Sequence, residues 1–342
     1  MSQLVFNSFQ KQLISLNQKK PSSLVLPEGD DPRVLAAASL LLQQNCLETL
    51  ILLGSLDKLQ QVSADAGITL DFSDSRLKIG DRDVPELTKL SQACCRDYLK
   101  RRGKPVSEDA VLKWASHPAN QAASLLYHDR CKAALAGCVF TTADVIRGAL
   151  QGVGLREGNR TISGSFAMVR EERGDDRRYM FADCGVVIEP SVEQLVDIAF
   201  ETVQTFRQLF PDLEPKVAFL SFSTKGSAKH HSADKMVEAT KAFQEKHPDI
   251  KADGEMQFDA AIVPAVGERK SPGSPVAGQA NCFIFPNLDA GNLVYKVTQR
   301  LAGFDAYGPI LQGTKKPYSD LSRGASAEDI FISSLITMLR AQ

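Results

Sequence analysis

A short segment near the end of the chain combines a hydroxyl, a guanidinium and a carboxylate. Ser322 and Arg323 precede Gly324 in a predicted turn, and Asp329 falls in the first turn of the predicted last helix. A turn that leads into a helix N-terminus offers free main-chain N–H groups and a partial positive charge, which favour phosphate. An arginine there can bind phosphate through two hydrogen bonds, and a carboxylate within reach can take a proton from a nucleophile. The segment therefore indicates an anion site beside a general base.

The same residues also allow a purely structural interpretation. Ser326 and Asp329 have the Ser-x-x-acid spacing of a capping box, in which Asp329 would only start the helix. Ser-Arg-Gly is also a common loop sequence. Local spacing leaves both interpretations open, so the rest of the chain has to decide between them.

Composition limits the class of protein. The chain has 342 residues, which is too long for one ordinary core and predicts two domains. Its 43 % apolar and 24 % charged residues are typical of a globular protein, and a net charge of −1 argues against general binding to nucleic acid or a membrane surface. The sequence shows neither a secretory leader nor an apolar run long enough to span a bilayer, so we expect a cytoplasmic protein.

Cysteine usage agrees with a reducing compartment. The seven cysteines are odd in number and include no Cys-x-x-Cys. No His/Cys cluster has the spacing of zinc ligands, so we expect no metal.

Strand and helix patterns alternate along the whole chain. Buried strands are predicted at residues 23–27, 49–54, 133–137, 179–183, 216–222 and 281–286. Helices are predicted from Pro32 behind an Asp31 cap, over 85–102, from Thr141, over 192–206 and over 291–301. This alternation predicts an α/β fold of two domains with largely parallel sheets flanked by helices. The predicted first domain is 1–153 plus 310–342, with the last helix returning to it, and the second is 154–309; residues 151–160 are the predicted crossing.

Two further basic segments have both a functional and a structural interpretation. Arg147 lies three residues beyond Asp144 in a helix that Thr141 can cap, so it is either an anion-binding arginine or half of a surface ion pair. Lys100 to Lys104 lie at a helix end, where cations are a common C-terminal feature. The chain has no Walker loop, no dinucleotide-binding turn and no Gly-x-Ser-x-Gly elbow. These segments favour a substrate that is rich in phosphate but reacts at a group other than those phosphates.

Several motifs in order resemble one family, the phosphate acetyltransferases (phosphotransacetylases) and related phosphate butyryltransferases. The resemblance spans nearly the whole chain and rests on residues 26–35, 141–147, 220–228, 254–261, 274–281, 285–296, 308–313 and 320–324. It implies the reaction acetyl-CoA + phosphate ⇌ CoA + acetyl phosphate, with CoA as a substrate and no cofactor. It also implies a homodimer and an architecture similar to isocitrate and isopropylmalate dehydrogenases, with the active site in a cleft between the domains.

The resemblance implies a role for each candidate residue. Asp329 matches the general base for the CoA thiol, and Ser322 matches the hydroxyl that positions the thiol and stabilises the developing charge. Arg323 matches the arginine that holds phosphate or acetyl phosphate. Arg147 matches a second anion-binding arginine and Arg101 a third, with Arg102 as the alternative for the third position.

Two departures from the family pattern stand out. Residues 129–133 read Asp-Arg-Cys-Lys-Ala, with two bases where the family usually has acids, and Ala325 stands where a cysteine is frequent. Alternative functions are transfer of propionyl or butyryl groups, and an acyl-CoA or acetyl-phosphate sensing domain without turnover. A metal-dependent decarboxylating dehydrogenase would need an acidic cluster that the sequence does not show.

Overall fold

The computed structural model describes residues 5–82, 84–172 and 176–342. Its contacts divide the chain into two compact units, Met1–Arg156 with Thr314–Gln342, and Glu157–Gly313. The last helix lies in the first unit. The domain limits given by the sequence, 1–153 plus 310–342 against 154–309, stay a prediction.

The first unit is built on a five-stranded parallel sheet. The strand order is β11-β4-β1-β2-β3. These strands are β1 Ser22–Leu26, β2 Leu47–Leu53, β3 Leu77–Gly80, β4 Ala133–Ala136 and β11 Tyr318–Asp320. Strands β1 and β4 are buried along their whole length, as expected of central strands in a sheet covered on both faces.

Helices cover this sheet. They are α1 Ser8–Lys19, α2 Pro32–Gln43, α3 Leu56–Asp65, α4 Pro85–Arg101, α5 Glu108–Ala115, α6 Pro118–Tyr127, α7 Thr142–Gly148 and α13 Ala327–Leu339. Helix α13 packs against β1, β4 and α2, and nine of its residues are buried. The predicted start of α2, an Asp31 cap followed by Pro32, is present, with the Asp31 side chain accepting from the Arg33 N–H.

Residues 151–153, at the start of the crossing that the sequence predicts over 151–160, belong to a π-helical turn, Ala149–Val153, that continues α7. The limit between the two units, after Arg156, falls within 151–160. Gly152 lies so close to α6 that a Cβ there would fall 2.5 Å from the Cβ of Ala123. This glycine therefore serves close helix packing rather than a flexible connection.

The second unit contains a six-stranded mixed sheet in the order β10-β5-β6-β9-β7-β8. The strands are β5 Ser163–Arg170, β6 Arg177–Ala182, β7 Lys216–Leu220, β8 Lys251–Met256, β9 Cys282–Ile284 and β10 Asp305–Gln312. Its helices are α8 Val192–Leu209, α9 His231–Lys246, α10 Phe258–Ile262, α11 Pro264–Lys270 and α12 Leu288–Leu301. Strands β6, β9, β7 and β8 are mutually parallel, and β5 alone runs in the opposite direction, pairing antiparallel with β6 on one side and with β10 on the other.

The predicted fold class, α/β with largely parallel sheets flanked by helices, is confirmed. Residues 310–312, which the predicted domain limits place in the first domain, pair with residues 163–165 in the second sheet. A phenylalanine-rich core that includes Phe166, Phe181, Phe283 and Phe285 lies in the second unit.

Three further observations concern the described residues only. No helix there is long and apolar enough to cross a bilayer. No group of three or more His, Cys, Asp or Glu side chains is arranged to hold a metal ion. All seven cysteines are buried free thiols.

Candidate active site

Three loops, one of which is the turn that carries Ser322 and Arg323, leave neighbouring strands of the first sheet at the same edge. Glu28 follows β1, residues 137–141 follow β4, and the Ser322 turn follows β11. Because β11, β4 and β1 are adjacent and parallel, their carboxyl ends meet at one edge. This edge is where open α/β sheets bind their ligands.

The Ser322 turn presents a hydroxyl and a guanidinium to solvent. Ser322, Arg323 and Gly324 are exposed, and the Ala325 N–H closes the turn by donating to the Ser322 carbonyl at 2.9 Å. The Ser322 Oγ accepts from the Gly324 N–H at 3.2 Å, which leaves its own O–H available to donate. Within the described residues the Arg323 side chain makes no hydrogen bond or ion pair, so its donors are available to an anion.

The predicted capping box at the start of α13 is present. Ser326 Oγ accepts from the Asp329 N–H at 3.1 Å, and Asp329 Oδ2 accepts from the Ser326 N–H at 2.9 Å and from the Ser326 hydroxyl at 2.8 Å. In the described part of the chain these bonds leave Oδ1 of the exposed Asp329 without a partner. The cap and a free basic oxygen therefore coexist on one carboxylate.

Helix α7 shows the predicted cap and ion pair. The Thr141 side chain accepts from the Asp144 N–H, and Arg147 Nη1 donates to Asp144 Oδ1 at 2.7 Å. Arg147 is exposed. The ion pair uses one nitrogen of the guanidinium, Nη1, and orients the group, whereas the N–H donors of its other nitrogens can still bind a ligand.

A buried carboxyl lies beside the Ser322 turn. Asp320 belongs to β11, two residues before Ser322, and helix α7 packs against this strand. Asp320 is only 2 % exposed, and burial raises its pKa to about 6. Gly137, at φ +114°, is required beside it, because a Cβ there would lie 2.3 Å from Asp320 Oδ1.

Arg101 lies at the C-terminal end of α4. Its Nε donates to the carbonyl of Asp97 at 3.3 Å, and its guanidinium lies 5.4 Å from the ring centroid of Tyr127 on α6. These contacts tie it to α4 and α6, and no described contact ties it to the Ser322 turn. Arg102 caps the end of the same helix, so the geometry leaves both residues as candidates.

The departure at residues 129–133 has a local structural role. Asp129, at φ +56°, accepts from Lys316 Nζ at 2.6 Å, which links the end of α6 to the segment before β11. Ala325 is buried behind the turn. Ala325 therefore lies behind the exposed polar groups of the turn, whereas Arg130 and Lys132, the two bases of the other departure, are exposed.

Two supporting residues carried no assigned role in the sequence analysis. Glu28 is 2 % exposed and accepts from the four successive main-chain N–H groups of residues 137–140, at 2.7 to 3.2 Å. Arg33 donates to the carbonyls of Cys138, Arg323 and Ala325. In the sequence, Glu28 is marked only by its place directly after a buried strand. Arg33 is marked only by its place in the Asp-Pro-Arg start of α2.

As far as the described residues show, the edge offers a guanidinium without a partner, a hydroxyl free to donate and a carboxylate oxygen free to accept. A second arginine lies on the adjacent helix α7. This set can hold an anionic group, stabilise a developing oxyanion and remove a proton from an incoming nucleophile.

Comparisons with known proteins identify relatives over nearly the whole chain. The family model described as "Phosphate acetyl/butaryl transferase" matches residues 8–338. The chain is 40 % identical over 323 residues to the phosphate acetyltransferase of Bacillus subtilis (strain 168), covering 94 % of this chain and 95 % of that protein. It is 37 % identical over 337 residues to that of Acetivibrio thermocellus, covering 98 % of both. The crystal structure of a phosphotransacetylase from Streptococcus pyogenes superposes with a TM-score of 0.89 at 38 % identity, covering 99 % of both chains.

The raised pKa of Asp320 predicts a pH-dependent stability. The folded-state pKa of about 6 exceeds the ordinary aspartate value of 3.8, so the folded state binds more protons than the unfolded state between these values. The free energy of unfolding should therefore fall as pH rises from about 4 to 6, by at most about 3 kcal/mol from this group. Asp320→Asn should remove that part of the dependence. Trp114 fluorescence in urea, which reports the first unit, measures it.

Asp129→Asn is the matched control for this experiment. Asp129 is exposed, and Lys316 holds the pKa of its carboxyl below the ordinary value, so its contribution has the opposite sign. If the stability difference between wild type and Asp320→Asn is the same at about pH 4.5 and 7, the assignment of a raised pKa to Asp320 is wrong.

Proposed function

This chain belongs to the phosphate acetyl/butyryl transferase family, and we propose that Ser322, Arg323 and Asp329 carry out its chemistry. The reaction is the reversible transfer of an acetyl group between CoA and inorganic phosphate: acetyl-CoA + phosphate ⇌ CoA + acetyl phosphate. The observation that supports these residues most strongly is that each has a donor or acceptor atom that its contacts within the protein leave unused. A guanidinium, a hydroxyl proton and a carboxylate oxygen, each without a partner among the described residues, occur together in one turn and the helix that follows it.

Asp329 is the proposed general base. A CoA thiol has a pKa near that of free cysteine, about 8.5, so only a few per cent is ionised at neutral pH. Oδ1 of Asp329 removes the thiol proton, and the sulfur then attacks the acetyl carbon of acetyl phosphate. The carbon–oxygen bond to phosphate breaks, phosphate leaves with the bonding electrons, and the proton held by Asp329 is available to the phosphate in the same site. The reverse reaction uses the same groups.

Ser322 and Arg323 are proposed to stabilise the charges that develop. The Ser322 O–H is free to donate to the carbonyl oxygen as it becomes an oxyanion. The Arg323 guanidinium can form two parallel hydrogen bonds to the leaving phosphate. Because both residues lie in one hydrogen-bonded turn, the positions of their backbones are fixed before the substrates bind, which favours the transition state.

Arg147 and Arg101 are proposed to hold further phosphates of the substrates. Arg147 is aimed by Asp144 and lies on the helix that packs against β11. Arg101 lies on a different helix, α4, which suits a ligand as long as CoA. The proposed chemistry needs no cofactor and no metal ion, since the acetyl group passes directly from one substrate to the other.

A homodimer is proposed as the assembly, supported by an apolar stripe on α12. Leu293, Val297 and Leu301 recur at helical spacing and are 63, 53 and 83 % exposed. The opposite side of the helix packs through Gly291, whose Cβ position lies 2.0 Å from the carbonyl oxygen of Asp183. An amphipathic helix that leaves its leucines in water favours pairing with a second copy.

A cytoplasmic location is also proposed, supported by the seven free thiols.

Asp329→Asn tests the general base. The amide keeps the size of the side chain but cannot take the thiol proton, so kcat should fall by about 10²- to 10⁴-fold. The KM for CoA should stay within a few-fold. Thioester formation from CoA and acetyl phosphate, followed by absorbance, measures both; propionyl and butyryl phosphate in parallel rank the acyl groups.

Glu328→Gln is the matched control for Asp329→Asn, because it removes a carboxylate from the same first turn of α13. It should retain most of the activity. Equal losses in the two variants would assign the effect to the charge of the helix N-terminus and would remove Asp329 from the role of base.

Arg323→Ala tests the phosphate site. Loss of a bidentate partner should raise the KM for acetyl phosphate and lower kcat, whereas the KM for CoA should change less. Arg323→Lys should recover only part of the loss, since an ammonium cannot reproduce the planar pair of bonds. A KM for acetyl phosphate equal to wild type would move the phosphate site to another residue, with Arg147 as the next to test.

Val297→Glu tests the dimer. A carboxylate in the centre of the α12 stripe should shift the mass measured by light scattering from two copies to one. Leu112→Glu, which changes a similarly exposed apolar residue on α5, is the control and should leave the mass unchanged. A wild-type protein with the mass of a single copy would contradict the proposed assembly outright.

A further inference from the structure

Arg33 uses all five of its guanidinium N–H donors inside the protein. Nε and Nη2 donate to the two carboxylate oxygens of Asp31 at 2.9 and 2.8 Å. Nη1 donates to the carbonyls of Arg323 and Ala325 at 2.8 and 2.9 Å, and Nη2 also donates to the carbonyl of Cys138 at 2.8 Å. A guanidinium has five donors, so none remains for a substrate.

The three carbonyls belong to two loops, the Ser322 turn, which carries Arg323, and the loop before α7, the helix that carries Arg147. Cys138 lies in the loop that leads to α7 and Arg147, whereas Arg323 and Ala325 belong to the Ser322 turn. The planar fork of Arg33 therefore connects these loops across the edge of the sheet. Arg33 contacts the backbone of Arg323 and leaves its side chain unpaired.

Asp31 and Glu28 make this connection rigid. Asp31 caps α2 through the Arg33 N–H and grips the Arg33 guanidinium from one side. Glu28 holds the main chain of residues 137–140 from behind, which fixes the Cys138 carbonyl. Helix α2 in turn packs against α13, the helix that carries Asp329.

We propose that Arg33 is a positioning residue for the acetyl transfer, which fixes the Ser322 turn relative to the loop before α7 and so aims Arg323 at the phosphate. This inference rests on the role proposed for Arg323. Arg33 acts through main-chain carbonyls and touches no reacting atom. A lysine cannot replace it, because one ammonium cannot reach the carboxylate and three separated carbonyls at once.

Arg76 provides a matched control within the same unit. It forms the same Asp-x-Arg arrangement with Asp74, donating from Nε and Nη2 at 3.0 and 2.6 Å. Its remaining described bonds go to Asn45 and to the Leu42 carbonyl, which lie outside the proposed site. The two arginines are similarly buried, with side chains 32 and 28 % exposed. Replacing each by lysine therefore makes the same chemical change at two different places.

The experiment compares Arg33→Lys, Arg76→Lys, Arg323→Ala and the double variant Arg33→Lys/Arg323→Ala with wild type. Arg33→Lys should lower kcat/KM for acetyl phosphate about 10- to 100-fold, mainly through KM, because small misplacements of a binding group cost that much. Arg76→Lys should stay within about threefold of wild type. Circular dichroism and the Trp114 unfolding midpoint should show that both lysine variants are folded.

The double variant separates positioning from general destabilisation. If Arg33 acts through Arg323, adding Arg33→Lys to Arg323→Ala should cost less than about threefold. The proposal would be overturned if the double variant lost activity by the product of the two single losses. Equal losses in Arg33→Lys and Arg76→Lys, or wild-type kinetics in Arg33→Lys, would also overturn it. Wild-type kinetics in Arg323→Ala would instead show that the proposed phosphate site is wrong, and this inference with it.

Discussion

The carboxylate of Glu28 accepts hydrogen bonds from four successive main-chain N–H groups and is almost wholly buried. A carboxylate in such a place is stable only while these donors surround it, since an unpaired buried charge is strongly unfavourable. The loop before α7 has little freedom for the same reason. A loop of this kind, with N–H groups converging on one point, would otherwise bind an external anion. Glu28 fills that position from within the protein, so the loop is ordered without an external anion.

Buried carboxylates at loops are a recurring device in this chain. In the second unit, Asp183 accepts from the N–H groups of residues 185–187, and Glu255 accepts from the Gly226 N–H and the Ser223 hydroxyl. Each of these acids is about 2 % exposed. Such loops are ordered by internal charges rather than by a ligand, so their shape exists before a substrate arrives. Preorganisation of this kind is what electrostatic stabilisation of a transition state requires.

The sequence predicted the features that depend on neighbours along the chain. The Asp31 cap, the Thr141–Asp144 cap and the Ser326–Asp329 capping box are all present, because each needs only a short spacing. The support of the site depends on partners far apart in sequence: Glu28 and Gly137 are separated by 109 residues, Arg33 and Arg323 by 290. Spacing rules contain no information at such distances. Strand β10 was missed for a local reason, since Gly308 and Pro309 interrupt its pattern.

The role of an arginine in this site depends on how many of its donors are already used. Arg33 has no unused N–H donor, Arg147 donates from Nη1 to Asp144, and Arg323 has no described partner. A saturated guanidinium orders the backbone, whereas an unsaturated one still has donors for the anion that we propose it binds; sequence alone does not distinguish the two. The same reasoning applies to Asp329, whose two oxygens differ: Oδ2 is bonded to Ser326 and holds the helix, whereas Oδ1 has no described partner and is the proposed basic oxygen. Capping is therefore compatible with catalysis, and it fixes the direction in which the basic oxygen points.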